Sequence, residues 1–347
     1  MATQPITRIK TRGHQRRRLA SAILAWHHPV KTTTTSPPAD PIRVVCISDT
    51  HNHQPVLPAG DILIHAGDLT ENGSFAEVQA GITWLSSQPH RFKILVAGNH
   101  DVLFDEAFLQ RYPERRYGQS QTKRDLDWGG VIYLEDESIT LNVPVWQQHS
   151  PTDTTAANIS SPQPQPTTNT RPPGAVRRIT IFGSPWTPLY GISAFQYPRS
   201  TGISHWPARL DNDNVDRIDI LITHGPPHLY LDRRDIHRAG CPYLLAEVSR
   251  LRPRLHVFGH IHVAHGREDV VLDGVRQAHD DVQVGWGGWG AVGWMVVLVV
   301  WARVRVVFNV IRGEERGRGR TPTTFVNASV VGGRGNEVRN GAVVVEI

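Results

Sequence analysis

The sequence predicts an α/β fold built on parallel strands, and three observations carry that expectation. Short β-branched runs recur along the chain, a stretch with apolar residues at helical spacing separates two of them, and the clusters rich in Asp, Asn and His stand just after such runs. In sheets of this class functional side chains gather on loops at the carboxyl ends of strands.

Residues 1–41 read as a basic, disordered arm and linker. Arg8, Lys10, Arg12, Arg16, Arg17, Arg18 and Lys31 all precede the first acidic residue, Asp40. Such an acid-free arm fits an organellar presequence, and equally a tail that touches anionic surfaces. Residues 19–26 are too short and broken for a secretory apolar core. Residues 31–41 (KTTTTSPPADP) form a polar, proline-rich linker, so the folded domain is expected over 42–347.

Residues 42–47 (IRVVCI) read as a buried first strand. Residues 62–65 and 93–97 repeat the pattern, and 74–87 between them form a helix with Ser74 as N-cap. Residues 145–175 are poor in large apolar side chains and rich in Pro, Thr, Ser and Gln, which makes them an insertion loop. Strands resume at 178–182, 218–223 and 255–258. The segments 324–331 and 342–347 close the chain, and their alternating pattern predicts antiparallel partners.

A second insertion is expected near 283–320, where 284–302 (VGWGGWGAVGWMVVLVVWA) is uncharged, carries Trp286, Trp289, Trp294 and Trp301, and is followed by Arg303 and Arg305. Three readings stand: a helix packed on the domain's own surface, a peripheral membrane contact with tryptophans at headgroup depth, or a span. A span is the least favoured, because the chain on both sides belongs to one fold.

Composition narrows the function. Cys46 and Cys241 give neither a disulfide framework nor a thiolate metal site, and a reducing, cytoplasmic setting is expected. Eighteen histidines point instead to imidazole-bound metal. The net charge of +5 is concentrated in the arm and in 312–320, outside the motif-bearing core, so a nucleic-acid partner is not expected.

Five motifs carry the chemistry. Asp49-Thr50-His51 puts a carboxylate and an imidazole on one strand-end loop. Gly67-Asp68 sets a second carboxylate beside a glycine, and one carboxylate can bridge two cations. Gly98-Asn99-His100-Asp101 offers a neutral oxygen ligand next to an imidazole able to handle a proton. Thr223-His224-Gly225 and Gly259-His260-Ile261-His262 add three histidines at strand ends. Each is an ordinary loop when taken alone; all five in this order are not coincidental.

In that order the motifs resemble the calcineurin-like metallophosphoesterase superfamily, over residues 42–282 and the C-terminal strands. The segments CISDTHN, GDILIHAGDLTENG, ILVAGNHD, IFGSPWTP and TFVNAS are similar to the small metallophosphoesterase-domain-containing proteins. The resemblance implies a four-layer sandwich of two mixed sheets flanked by helices. It makes Asp49, His51 and His262 ligands of one divalent cation, Asn99, His224 and His260 ligands of a second, and Asp68 the bridge. Manganese is expected first, with iron, zinc or magnesium as alternatives. His100, oriented by Asp101, becomes the proton donor, while Glu71 stands where relatives carry Asp or Asn. The activity implied is phosphodiester hydrolysis of a small substrate, such as a nucleotide, by a hydroxide between the cations. The alternatives are a phosphomonoesterase or protein phosphatase on the same site, or a noncatalytic membrane-associated binding module. Ser184, Pro185, Trp186, Tyr197 and Arg199 are read either as a substrate wall or as core, His53 and His228 as flanking contacts, His65 as packing beside the site, and His27, His28 and His279 as solvent residues.

Overall fold

A computed structural model describes residues 6–27, 41–144, 176–211, 217–234, 237–311, 321–333 and 335–347. The expected insertion at 145–175, the linker residues 28–40 and the basic cluster at 312–320 lie outside the described residues.

The strands of the two large sheets are β1 Arg43–Ile47, β2 Ile62–Ala66, β3 Phe92–Val96, β4 Val131–Tyr133, β5 Glu137–Pro144, β6 Val176–Ser184, β7 Ile220–Thr223, β8 Leu255–Phe258, β9 Gly266–Val270, β10 Thr323–Asn327 and β11 Val343–Glu346. The first sheet runs β11-β1-β2-β3-β4, with only β11 antiparallel. The second runs β9-β10-β8-β7-β6-β5, parallel from β10 to β6 with antiparallel β9 and β5 at its edges. β2, β7 and β8 are buried at every position and apolar but for His65, Thr223 and His256, as strands covered on both faces are.

Alternation assigns the layers. Val44, Cys46, Ile62, Ile64 and Ile94 of the first sheet meet Ile181, Ile220, Ile222, Leu255 and Val257 of the second in the central core. Val45, Ile47, Leu63 and Leu95 face the other way, onto Val78, Ile82 and Leu85 of helix α2 (Phe75–Ser87). Phe182, Leu221, Phe258 and Phe325 cover the outer side of the second sheet under α4 (Gly202–Leu210) and α5 (Pro242–Leu251). Helix, sheet, sheet, helix is the four-layer sandwich that was expected. At α2 the Ser74 cap is a full capping box, with Ser74 and Glu77 satisfying each other's backbone N–H groups.

Four expectations need correction. The arm is not disordered over Ile6–Trp26, which is helix α1; its last turns place Ala20, Ile23 and Leu24 against the helices that follow β9, and the run Gln15, Arg16, Arg17, Arg18 and Leu19 before them is of high helix propensity. The second insertion begins earlier than 283, with α6 (Gly274–Val284) preceding α7 (Trp289–Ile311). β10 is antiparallel to β9 but parallel to β8, because it lies inside the sheet, whereas β11 on the edge is antiparallel as expected. His27 and His279 are also not solvent residues: His27 Nε2 lies 2.8 Å from Asp273 Oδ2 and His279 Nε2 3.3 Å from Ser21 Oγ, so both join α1 to α6.

Candidate metal centre

Five loops converge at the carboxyl ends of the strands, three from the first sheet and two from the second. Asp49 and His51 follow β1, Asp68 follows β2, and Asn99 and His100 follow β3. His224 follows β7, and His260 and His262 follow β8. Asp49, His51, Asp68 and His260 take left-handed backbone, with φ of 52°, 43°, 54° and 69°. Each such residue costs about 1–2 kcal/mol, and this concentration of strain turns the side chains inward from the strand ends. The motif glycines make room: a Cβ on Gly98 would strike the Asp68 carboxylate, and one on Gly259 the Asp49 carboxylate and Ser48 hydroxyl.

The structure brings all seven expected ligands together, in two adjoining sets. In one, Asp49 Oδ1 lies 3.2 Å from His262 Nε2, with His51 completing a cluster whose donor atoms all lie within 4.8 Å of one another. In the other, Asp68, His224 and His260 meet the same criterion. Asn99 Oδ1 is 2.9 Å from both His224 Nε2 and His260 Nδ1. Asp68 Oδ2 stands between the sets, 3.3 Å from His224 Nε2 and 3.9 Å from His51 Nε2.

Hydrogen bonding and charge fit this donor set to cations. His224 Nδ1 faces the Ala66 carbonyl at 3.0 Å, so it carries the hydrogen and leaves Nε2 as the inward nitrogen. Both ring nitrogens of His51 are buried without a hydrogen bond, although Nδ1 lies 3.1 Å from Glu71 Oε2. Burial opposes ionisation of Asp49 and Asp68, yet His262 and His224 hold both well below the usual carboxylate range. Burial also opposes a charge on His224, but Asp68 and Asp49 push its pKa up to about 9. His260 goes the other way: burial, reinforced by His224, brings it down to about 3 and keeps its lone pair available. The centre therefore wants positive charge among its oxygens while keeping a neutral imidazole to bind it. Imidazole, carboxylate and amide oxygen without thiolate suit manganese, iron or zinc.

The proposed roles of His100 and Asp101 separate. His100 Nδ1 lies 2.7 Å from the Glu71 carbonyl, and that carbonyl orients the ring. Asp101 is buried and accepts from Leu69 N, Thr70 N, Thr70 Oγ1 and Gly98 N at 2.7–3.1 Å. It ties the loops after β2 and β3 together and makes no hydrogen bond to His100, so its expected orienting role is corrected. The Glu71 carboxylate lies 3.1 Å from His51 Nδ1 and forms a third cluster with His51 and His100, whose donor atoms all lie within 4.8 Å of one another, and Asn336 Nδ2 donates to it at 3.0 Å.

Of the expected substrate wall, Ser184, Pro185 and Tyr197 are buried and Trp186 is half-buried, as the core alternative has it, whereas Arg199 is exposed and donates to the Leu189 carbonyl at 3.3 Å. Ser184 and Trp186 donate to Asp136, and the Tyr197 ring is buried against His205 with its hydroxyl on Cys241. The aromatic group beside the centre is Tyr190, which motif spacing did not single out: its ring lies 5.0 Å from that of His260 and is 51% exposed. Ser329 was also missed as a site residue, although it closes the quoted TFVNAS segment; its hydroxyl donates to Asp49 Oδ2 at 2.7 Å. His65 packs beside the site as expected, 2.9 Å from Thr50 Oγ1. His53 bonds the Asn336 carbonyl and His228 lies 3.2 Å from Asp232 Oδ2.

Known proteins place this constellation. The calcineurin-like phosphoesterase family model matches residues 42–264. The chain is 36% identical over 263 residues to human metallophosphoesterase domain-containing protein 1, covering 71% of this chain and 67% of that one. It is 33% identical over 247 residues to a UPF0046 protein of Caenorhabditis elegans, covering 67% and 68% respectively. It is also 37% identical over 308 residues to the Emericella nidulans protein named "Probable rhamnogalacturonate lyase C"; that match covers 88% of this chain and 24% of the other, so the chain spans about a quarter of that protein's length. The family match and the converging ligand set agree: the chain belongs to the calcineurin-like phosphoesterase family and is a metal-dependent phosphoric ester hydrolase.

Proposed function

We propose that the chain is a phosphodiesterase that uses two divalent cations, manganese first, with Asp49, His51 and His262 holding one, Asn99, His224 and His260 the other, and Asp68 shared. The observation that carries this reading is the position of Asp68 Oδ2, 3.3 Å from His224 Nε2 and 3.9 Å from His51 Nε2, where one carboxylate serves both sets. Bound cations supply Lewis acidity toward phosphoryl oxygens and a lowered pKa for water.

The chain's own residues supply the rest. Contact with the Glu71 carbonyl fixes His100 Nδ1 as the anchored nitrogen, which leaves Nε2 to give a proton to a leaving oxygen. His100 is partly exposed, as a group that touches substrate must be. A diester carries one negative charge and a monoester two, and the group beside His260 is a phenol, Tyr190, rather than a cation. Its half-exposed ring suits a flat organic substituent such as a nucleobase.

The test is manganese-dependent hydrolysis of bis-p-nitrophenyl phosphate against p-nitrophenyl phosphate, in the parent and in Asp68→Ala and His260→Ala chains. The expected result is a diester preference that both substitutions abolish. A monoester preference assigns the site to a phosphatase, and metal-loaded protein inert toward both esters rejects the proposal.

A further inference from the structure

Over residues 289–302 helix α7 is apolar around its whole circumference, which a helix resting in water is not. Its inner stripe of Val292, Met295 and Val299 is buried with Ala20 of α1 and with Val275, Ala278 and Val282 of α6. The remainder faces outward. Trp289, Trp294, Val297, Val300, Trp301 and Phe308 are each 50–64% exposed, and only 17% of the Trp289–Phe308 stretch is buried.

The surroundings identify what covers this face. α1 and α7 both lie along α6. Gln283 bonds the Arg17 carbonyl and His27 bonds Asp273 at opposite ends of α6, so α1 runs antiparallel to it. At one end of α7 the Arg17 guanidinium lies beside Gly285. Toward the other, Arg303 donates to the Trp26 carbonyl at 3.0 Å and sits over the exposed Trp26 indole. Arg18 and Arg305 are exposed as well, and neither helix contains an acidic residue. Two copies meeting through this face would bring like charges together, whereas anionic headgroups complement them and tryptophans favour headgroup depth.

A span does not fit the same geometry. β9 and β10 pair in unbroken register from Gly266↔Asn327 to Val270↔Thr323, so the insertion leaves and re-enters the fold at one place. A single crossing would put its ends on opposite sides. It would also carry α6, with Arg276 and Asp281, into hydrocarbon.

We propose that α7, braced by α1 and α6, is a membrane-binding face that lies in the plane of an anionic bilayer, with its tryptophans and valines in the interfacial layer. The assignment does not depend on the phosphoester substrate.

The test is flotation of the full chain with phosphatidylcholine vesicles, with and without phosphatidylserine. Flotation should be strong with the anionic vesicles and weaker with the neutral ones. Arg303→Gln and Arg305→Gln should each weaken anionic binding about fivefold without changing neutral binding. Trp294→Ser with Trp301→Ser should abolish both, at an unchanged melting temperature, since these side chains are more than half exposed. A chain that floats with neither vesicle overturns the proposal, as does flotation indifferent to the tryptophan substitutions. A dimer that the tryptophan pair dissolves, in a chain that ignores vesicles, gives the face to a second copy instead.

Discussion

The Ser329 hydroxyl donates to Asp49 Oδ2 at 2.7 Å, joining residues 280 positions apart. Ser329 is itself held, because its N–H donates to Asn327 Oδ1 at 3.2 Å and the Asn327 amide donates to the Leu231 and Ile261 carbonyls. The loop after β10 therefore aims the first carboxylate of the centre and braces the turn between His260 and His262.

Ser329→Ala should weaken manganese binding roughly ten- to hundredfold, the range that loss of a ligand's hydrogen-bond partner produces. Calorimetric titration of metal into the stripped chain measures it, and equal affinities in parent and variant would deny Ser329 a part in positioning Asp49.

Asp101 and His100, adjacent in sequence, should fail in different ways. Asp101→Ala leaves three backbone N–H groups and the Thr70 hydroxyl without their acceptor, and should lower unfolding free energy by about 3 kcal/mol or more. His100→Gln removes a partly exposed ring; it should cost less than about 1 kcal/mol and yet reduce kcat a hundredfold or more. Urea unfolding and steady-state kinetics on both variants separate the two. An Asp101→Ala chain as stable as its parent but as slow as His100→Gln would restore the orienting role.

Legibility followed the physics of each signal. Candidate ligands were readable because each leaves a strand end on a short loop, which fixes residue type and spacing together: Asp49 after β1 and His224 after β7 are examples. The central parallel strands were readable because burial on both faces forces runs that are mostly apolar. Asp101 was misread because adjacency in sequence says nothing about where a carboxylate turns once Leu69, Thr70 and Gly98 offer it N–H groups. Ser329 and Tyr190 act on the site from distant segments, through contacts that only the fold creates. Helix α1 stayed hidden because its buried positions, such as Ala20, are few and its arginines dominate the composition.

Acid should destabilise the fold through His256 on β8. Thr223 Oγ1 donates to the Gly225 carbonyl at 2.7 Å, so at 2.9 Å it must accept from His256 Nε2, and Nδ1 is left buried without a partner. Burial pushes the His256 pKa down to about 3 from its ordinary 6.5. Between those values the unfolded chain binds the extra proton and the folded chain does not. Stability from this group is therefore complete above pH 6.5 and is lost as pH falls below it, by up to about 1.4 kcal/mol per unit. Denaturant unfolding at descending pH should show a shallower loss for His256→Gln than for the parent, and parallel slopes would refute the depressed pKa.

Tyr190 should govern substrate choice rather than turnover. Its loop is fastened to the centre, because Ser193 Oγ and Ala194 N both donate to the backbone carbonyl of Asn99, a proposed ligand, at 2.6 and 3.2 Å. Burial and the nearby Asp68 carboxylate raise the phenol's pKa, so the hydroxyl stays protonated and the ring stays neutral. What such a ring offers a diester is a stacking face, worth about 1–3 kcal/mol for an aromatic group. Tyr190→Ala should thus raise KM for an aryl diester about fivefold or more, the lower end of that range, and leave KM for an alkyl diester, kcat and metal affinity near the parent's values. Tyr190→Phe should behave like the parent. An equal rise in KM for both diesters, or a Phe variant as impaired as Ala, would move the contact from the ring face to the hydroxyl. The substrate would then be one that hydrogen-bonds at this position instead of stacking.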